Sequence, residues 1–200
     1  MERGKTTIKN HGHIVAGLII TGVMAVASFA LMIWDPWRAP LGKPAVAASA
    51  SKLEWLDAPK PAAATPFEDA AGVTHAFADF HGRVLVVNFW ATWCAPCVRE
   101  MPTLDALQSR LGGARFQVVA INQDREGAKV AGPFLESKGL RHLTTYAEPA
   151  LHFVRDAGLR GLPTSLVIDR DGREIARLEG TADWDSPEMV ATLQRIIDQP

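Results

Sequence analysis

Val84-Leu85-Val86-Val87-Asn88-Phe89-Trp90-Ala91-Thr92-Trp93-Cys94-Ala95-Pro96-Cys97 decides how the rest of the chain is read. Its first seven residues are nearly all apolar, the pattern of a strand buried on both faces. Its last four hold the only two cysteines of the 200-residue chain, two residues apart. The residues that follow read as helix over 95–111, with Val98, Met101, Leu104, Leu107 and Leu111 at inward spacing. A dithiol therefore sits where a strand hands over to a helix. The first turn of a helix has unpaired N–H groups and the positive end of the macrodipole. A thiolate there is stabilised, and its pKa falls below the free value of about 8.5. Cys94, at the leading end and next to water, is the expected nucleophile. Cys97 lies one turn on along the same edge, within bonding reach. Pro96 lacks an N–H and fits the first turn, where none is needed.

Two metal readings compete with redox chemistry. A structural zinc needs four protein ligands. There is no second cysteine pair, and His75, His81, His142 and His152 show no ligand-like spacing. Cu(I) stays open, because soft thiolates suit it. A copper chaperone holding its metal on Cys94 and Cys97 is thus the alternative function. A third possibility is an adaptor that binds partners without turnover. The formal net charge of -1 gives no reason to expect a nucleic-acid partner.

Outward from this centre, elements alternate. Strands are expected over 116–121 and 165–168, with Asp171-Gly172 turning into a return strand over 174–178. A short strand is expected over 143–146 and a small hairpin near Gly72. Helices are expected over 128–138 and 150–157. A last helix starts at Ser186-Pro187, an N-cap followed by proline at the first helical position. Pro102 should kink the first helix. This order gives an α/β fold, a mixed sheet with helices on both faces.

The N-terminal third is different. Residues 14–34 carry no charge, and at 1.5 Å each they span about 30 Å, a bilayer's hydrocarbon thickness. Trp34 and Trp37 mark the far end, where interfacial tryptophans belong. A cleaved signal peptide is the rival reading. The run is longer than a signal core, however, and its nearest small-residue cleavage sites lie well beyond it. The expectation is an uncleaved transmembrane anchor over 14–34, with 1–13 cytoplasmic. A proline- and alanine-rich tether over 35–65 and a globular domain over 66–200 complete the chain. Within the tether, Lys52 to Leu56 reads as a helical turn or a docking patch, though its two large apolar residues are expected simply to pack on the domain.

Asn88 to Pro102 and Gly161 to Gly172 together closely resemble the thioredoxin-like TlpA/ResA family. Its members are membrane-anchored thiol-disulfide oxidoreductases of the bacterial cell envelope. The resemblance covers about 67–200 and includes the loop Ala78 to Arg83. It implies a thioredoxin-like fold, an inner-membrane single-pass anchor and a domain in the periplasm. No cofactor is implied. By position, Cys94 matches the attacking cysteine and Cys97 the resolving one. Trp93 matches the aromatic beside the site. Pro163 matches a cis-proline, and Leu162 matches the residue whose backbone meets substrate. The implied clients are apocytochrome c or copper-site assembly proteins, with a separate membrane thiol reductase as electron source. Two departures stand out. Asn88 replaces thioredoxin's buried aspartate and cannot take a proton. Ala95 stands where some members have glutamate. Glu100 recurs in the family and is read either as a proton-transfer group or as a solvated helix carboxylate.

Overall fold

The computed structural model describes residues 52–199. The expected anchor over 14–34, its cytoplasmic flank and most of the tether lie outside these residues. Among the described residues, no helix is long and apolar enough to cross a membrane.

Eight strands form one sheet: β1 Glu54–Pro61, β2 Phe67–Asp69, β3 Thr74–His75, β4 Val84–Trp90, β5 Phe116–Asn122, β6 Tyr146–Ala147, β7 Thr164–Ile168 and β8 Arg173–Glu179. Their spatial order is β1-β8-β7-β4-β5-β6-β2-β3. β4 runs parallel to β5 and antiparallel to β7. The helices are α1 Ala95–Leu111, α2 Ala128–Ser137, α3 His152–Asp156 and α4 Pro187–Ile197. A short 3-10 turn covers Phe77–Phe80.

The apolar run of β4 is buried along its whole length, and strand alternation splits it between two cores. Val84, Val86 and Trp90 join one core with Met101, Leu104 and Leu107 of α1, Leu135 of α2 and Leu193 of α4. Leu85, Val87 and Phe89 join the other with Phe77, Phe80 and Phe153. Asn88 falls in the series that faces α1. This alternation fixes its place opposite the helix that carries the cysteines.

The alternating elements appear as expected, with adjusted ends. α3 is shorter than 150–157, and β6 begins at the last residue of its expected span. α1 runs unbroken through Pro102. Gly72, at φ 78°, turns the small hairpin. Asp69 ties that turn by accepting from the Ala71 and Val73 amides.

One difference is large. Residues 54–61, expected as tether, form β1, antiparallel to β8 from Glu54↔Arg177 to Pro61↔Arg173. Leu53 packs on the domain as expected, buried in the α1-side core. Lys60 reaches the buried Glu174 carboxylate at 3.2 Å. Composition hid this strand, since its residues are mostly exposed and its prolines read as linker. The folded unit therefore begins before residue 66.

Candidate active site

The cysteines sit where β4 ends and α1 begins. Cys94 is the N-cap of α1, and Pro96 lies in the first turn. Cys94 and Cys97 form a disulfide, with Cα atoms 5.3 Å apart. The Cys97 amide donates to Cys94 Sγ at 3.3 Å. A first-turn N–H thus points at the sulfur, the arrangement that favours a thiolate there. Cys94 is only 5% exposed, not open to water as expected, and Cys97 is fully covered. Its sulfur is bonded back toward the buried Cys97, and both lie in the α1-side core. Trp93, one residue earlier, is 72% exposed.

The Leu162–Pro163 peptide bond is cis. Pro163 is buried and leads into β7, whose Thr164 pairs with Phe89 near the end of β4. That register brings the Pro163 loop to the same end of the sheet as the cysteines. Leu162 is half-buried and packs on both cores. Together with Trp93, Gln123, Leu151, Val154 and Arg160 it lines an apolar groove of about 240 Å³. Leu151 and Val154, on the start of α3, are both exposed. Sequence reading missed this contribution, because Leu151 and Val154 meet Trp93 only across the fold.

A buried polar network lies behind the disulfide. Glu100 is 3% exposed, so the solvated-carboxylate reading fails. Its Oε1 accepts from Asn88 Nδ2 at 2.9 Å. Its Oε2 accepts from the Ala182 amide at 3.0 Å and from Trp184 Nε1 at 3.3 Å. Burial pushes the carboxyl up to about 7, against these three bonds, which favour the anion. Asn88 Nδ2 also donates to Ser165 Oγ at 2.9 Å. Thr103 Oγ1 donates to the Glu100 carbonyl and accepts from the Trp184 amide.

A second buried acid braces the loop before the cysteines. Asp124 accepts from the Thr92 amide at 2.8 Å, from Thr92 Oγ1 at 3.1 Å and from Asn122 Nδ2 at 2.7 Å. Neither Asp124 nor Trp184 carries a local sequence signal, since each acts across the fold.

A family model described as Redoxin matches residues 56–193, a span that starts inside β1. Thiol-disulfide oxidoreductase ResA of Bacillus cereus is 29% identical over 130 residues, covering 65% of this chain and 74% of ResA. Thiol:disulfide interchange protein HelX of Rhodobacter capsulatus is 30% identical over 164 residues, covering 82% and 83%. Among solved structures, a chain described as thiol:disulfide interchange protein DsbE from Chlorobium tepidum superposes with a TM-score of 0.59. It is 30% identical and covers 71% of this chain and 96% of its own. A secreted thiol-disulfide isomerase from Corynebacterium glutamicum, at 21% identity and TM-score 0.61, shares the thioredoxin-like fold.

Proposed function

The chain belongs to the redoxin family and is a thiol-disulfide oxidoreductase, and from that premise we propose that it reduces client disulfides by a Cys94/Cys97 relay. One observation carries the reading. A disulfide caps the first turn of α1 at the same end of the sheet as the cis-Pro163 loop and an apolar groove.

In the reduced protein, the Cys94 thiolate attacks one sulfur of a client disulfide. The client's S–S bond breaks, a Cys94–client mixed disulfide forms, and one client thiolate leaves. Cys97 then loses its proton and attacks Cys94 Sγ. The mixed disulfide breaks, the Cys94–Cys97 bond forms, and the second client thiolate leaves. The client gains two electrons and this chain loses two, reaching the oxidised form described above. Asn88 cannot accept the Cys97 proton. Glu100, one turn further along α1 and buried beside Asn88, is the assigned acceptor. Trp93 and Leu162 hold the client chain, with the Pro163 loop presenting backbone groups to it.

Residues 14–34 anchor the chain as a single span in the bacterial inner membrane, with 1–13 cytoplasmic and the folded unit in the periplasm. Apocytochrome c or copper-site assembly proteins are the client classes that the family resemblance supplies. The chain has no third cysteine, so a separate membrane thiol reductase must recharge it. Among the described residues, no group of three His, Cys, Asp or Glu side chains is placed to hold a metal ion.

Cys97→Ser tests the relay. It should trap clients on Cys94 as mixed disulfides recoverable from cell envelopes, and wild-type protein should reduce insulin. Absence of both trapped species and insulin turnover would refute the reading.

A further inference from the structure

The network behind the disulfide contains one atom without a partner. Asn88 is fully buried, and its Oδ1 has no hydrogen bond, while its Nδ2 makes two. A buried carbonyl oxygen left idle calls for a physical account.

The account comes from what Glu100 needs in each protonation state. As a carboxylate it accepts three bonds, and each matches a donor: Asn88 Nδ2, the Ala182 amide and Trp184 Nε1. Oε2 already takes two fixed donors, so an added proton belongs on Oε1. There it would face Nδ2, donor against donor. Turning the Asn88 carboxamide by half a turn removes the conflict. The amide keeps its shape, because O and NH₂ differ little in size. Oδ1 then accepts the Glu100 O–H. The Ser165 hydroxyl, which both donates and accepts, switches from accepting from Nδ2 to donating to Oδ1. Each orientation makes two hydrogen bonds and leaves one amide atom idle.

We infer that Asn88 is a positioning residue whose carboxamide reverses with the proton on Glu100, keeping the buried acid hydrogen-bonded in both states. Aspartate at this position could hold a proton itself. Asparagine instead lets a neighbouring acid hold it. In the relay proposed above, on which this role in turnover rests, the proton that Cys97 releases moves to Glu100. The amide then turns to receive it. Burial of the Glu100 carboxyl places its titration near neutrality, where such exchange is useful.

The groups facing Glu100 can be named element by element. Asn88 comes from β4 and Ser165 from β7. The loop before α4 brings the Ala182 amide and Trp184, with Asp183 between them. On α1 itself, Cys97 is the titratable group one turn earlier once the disulfide is opened. In the oxidised protein the cysteines do not titrate, so Glu100 can be followed without them.

The chain has three asparagines, Asn10, Asn88 and Asn122. Labelling the oxidised full-length chain with ¹⁵N-asparagine therefore gives three side-chain carboxamides to assign, and ¹³C-glutamate reports the Glu100 carboxyl. The Asn88 carboxamide resonances should move with the same midpoint as the Glu100 carboxyl carbon. NOEs from the Nδ2 protons to Ser165 should be present above that midpoint and weaken below it. In Glu100→Gln, the Gln Nε2 takes the place of the protonated oxygen. That variant should lock Asn88 in its low-pH pattern at every pH. If Glu100 titrates while the Ser165 NOEs stay constant, the inference is overturned. The same holds if Glu100→Gln retains the high-pH pattern. Insulin reduction is measured in parallel. Absence of turnover by the wild-type protein with an intact amide response would refute the relay alone.

Discussion

Glu100 and Trp184, 84 residues apart in sequence, meet in the core, where the indole Nε1 donates to the carboxylate Oε2 at 3.3 Å. This contact binds the helix of the cysteines to the loop that leads into the last helix. It also makes one buried charge answerable for the packing of both.

That charge has a pH signature. The native carboxyl keeps its proton up to about 7, against an ordinary value of 4.5. Between those values the native state binds more protons than the unfolded chain, so stability falls as pH rises. The contribution is fully present below 4.5 and is lost as pH rises through about 7, a span worth about 3 kcal/mol. Glu100→Gln should remove this slope. Urea unfolding of both oxidised proteins at several pH values from 4.5 to 8 measures it. Parallel curves for wild type and variant would contradict the assignment.

Asp124 should matter through Thr92. Asp124→Ala leaves the Thr92 amide and Asn122 Nδ2 without their acceptor in a buried site. A loss of about 2–4 kcal/mol is expected, with slower disulfide cycling because the loop before Cys94 is freed. Calorimetry together with insulin turnover reads both effects. A change below about 0.5 kcal/mol would be that of an ordinary surface site.

The groove offers a separation of binding from chemistry. Val154 is exposed, so Val154→Asp should leave the fold intact while placing a charge on an apolar wall. KM for a protein client should rise about tenfold, equivalent to about 1.4 kcal/mol. Reduction of a small aromatic disulfide should be nearly unchanged. Equal losses on both substrates would argue that the groove does not hold the client.

β1 yields a test of where the folded unit starts. A chain beginning at residue 66 lacks Leu53 and the whole pairing with β8. Burial of Leu53 alone is worth about 2 kcal/mol. The 66–200 chain should therefore unfold at clearly lower urea than a 52–200 chain. Coincident curves would show that β1 adds nothing.

The two contrasting fates of Glu100 and β1 show what a sequence displays and what it conceals. β4, α1 and the cysteine pair were legible because burial on both faces, the cap position and the two-residue spacing are local patterns. Asp171-Gly172 and Ser186-Pro187 were legible for the same reason. β1 was not, because an outermost strand with one side in solvent carries no apolar run. Glu100 was undecided because its helix position leaves open what covers it, and the cover is Trp184 from another element. Leu151 and Val154 entered the site only because the fold brings the start of α3 beside Trp93. Cys94 was expected in water, and its bond to a sunken neighbour draws it in.

Pro59 and Pro61 offer no amide hydrogens, and the pairing of their strand slips between Trp55 and Lys60. A second chain sliding alongside would find an interrupted ladder, missing the amide hydrogens of both prolines. Copies held close together should therefore resist zipping into shared sheets and remain separate molecules.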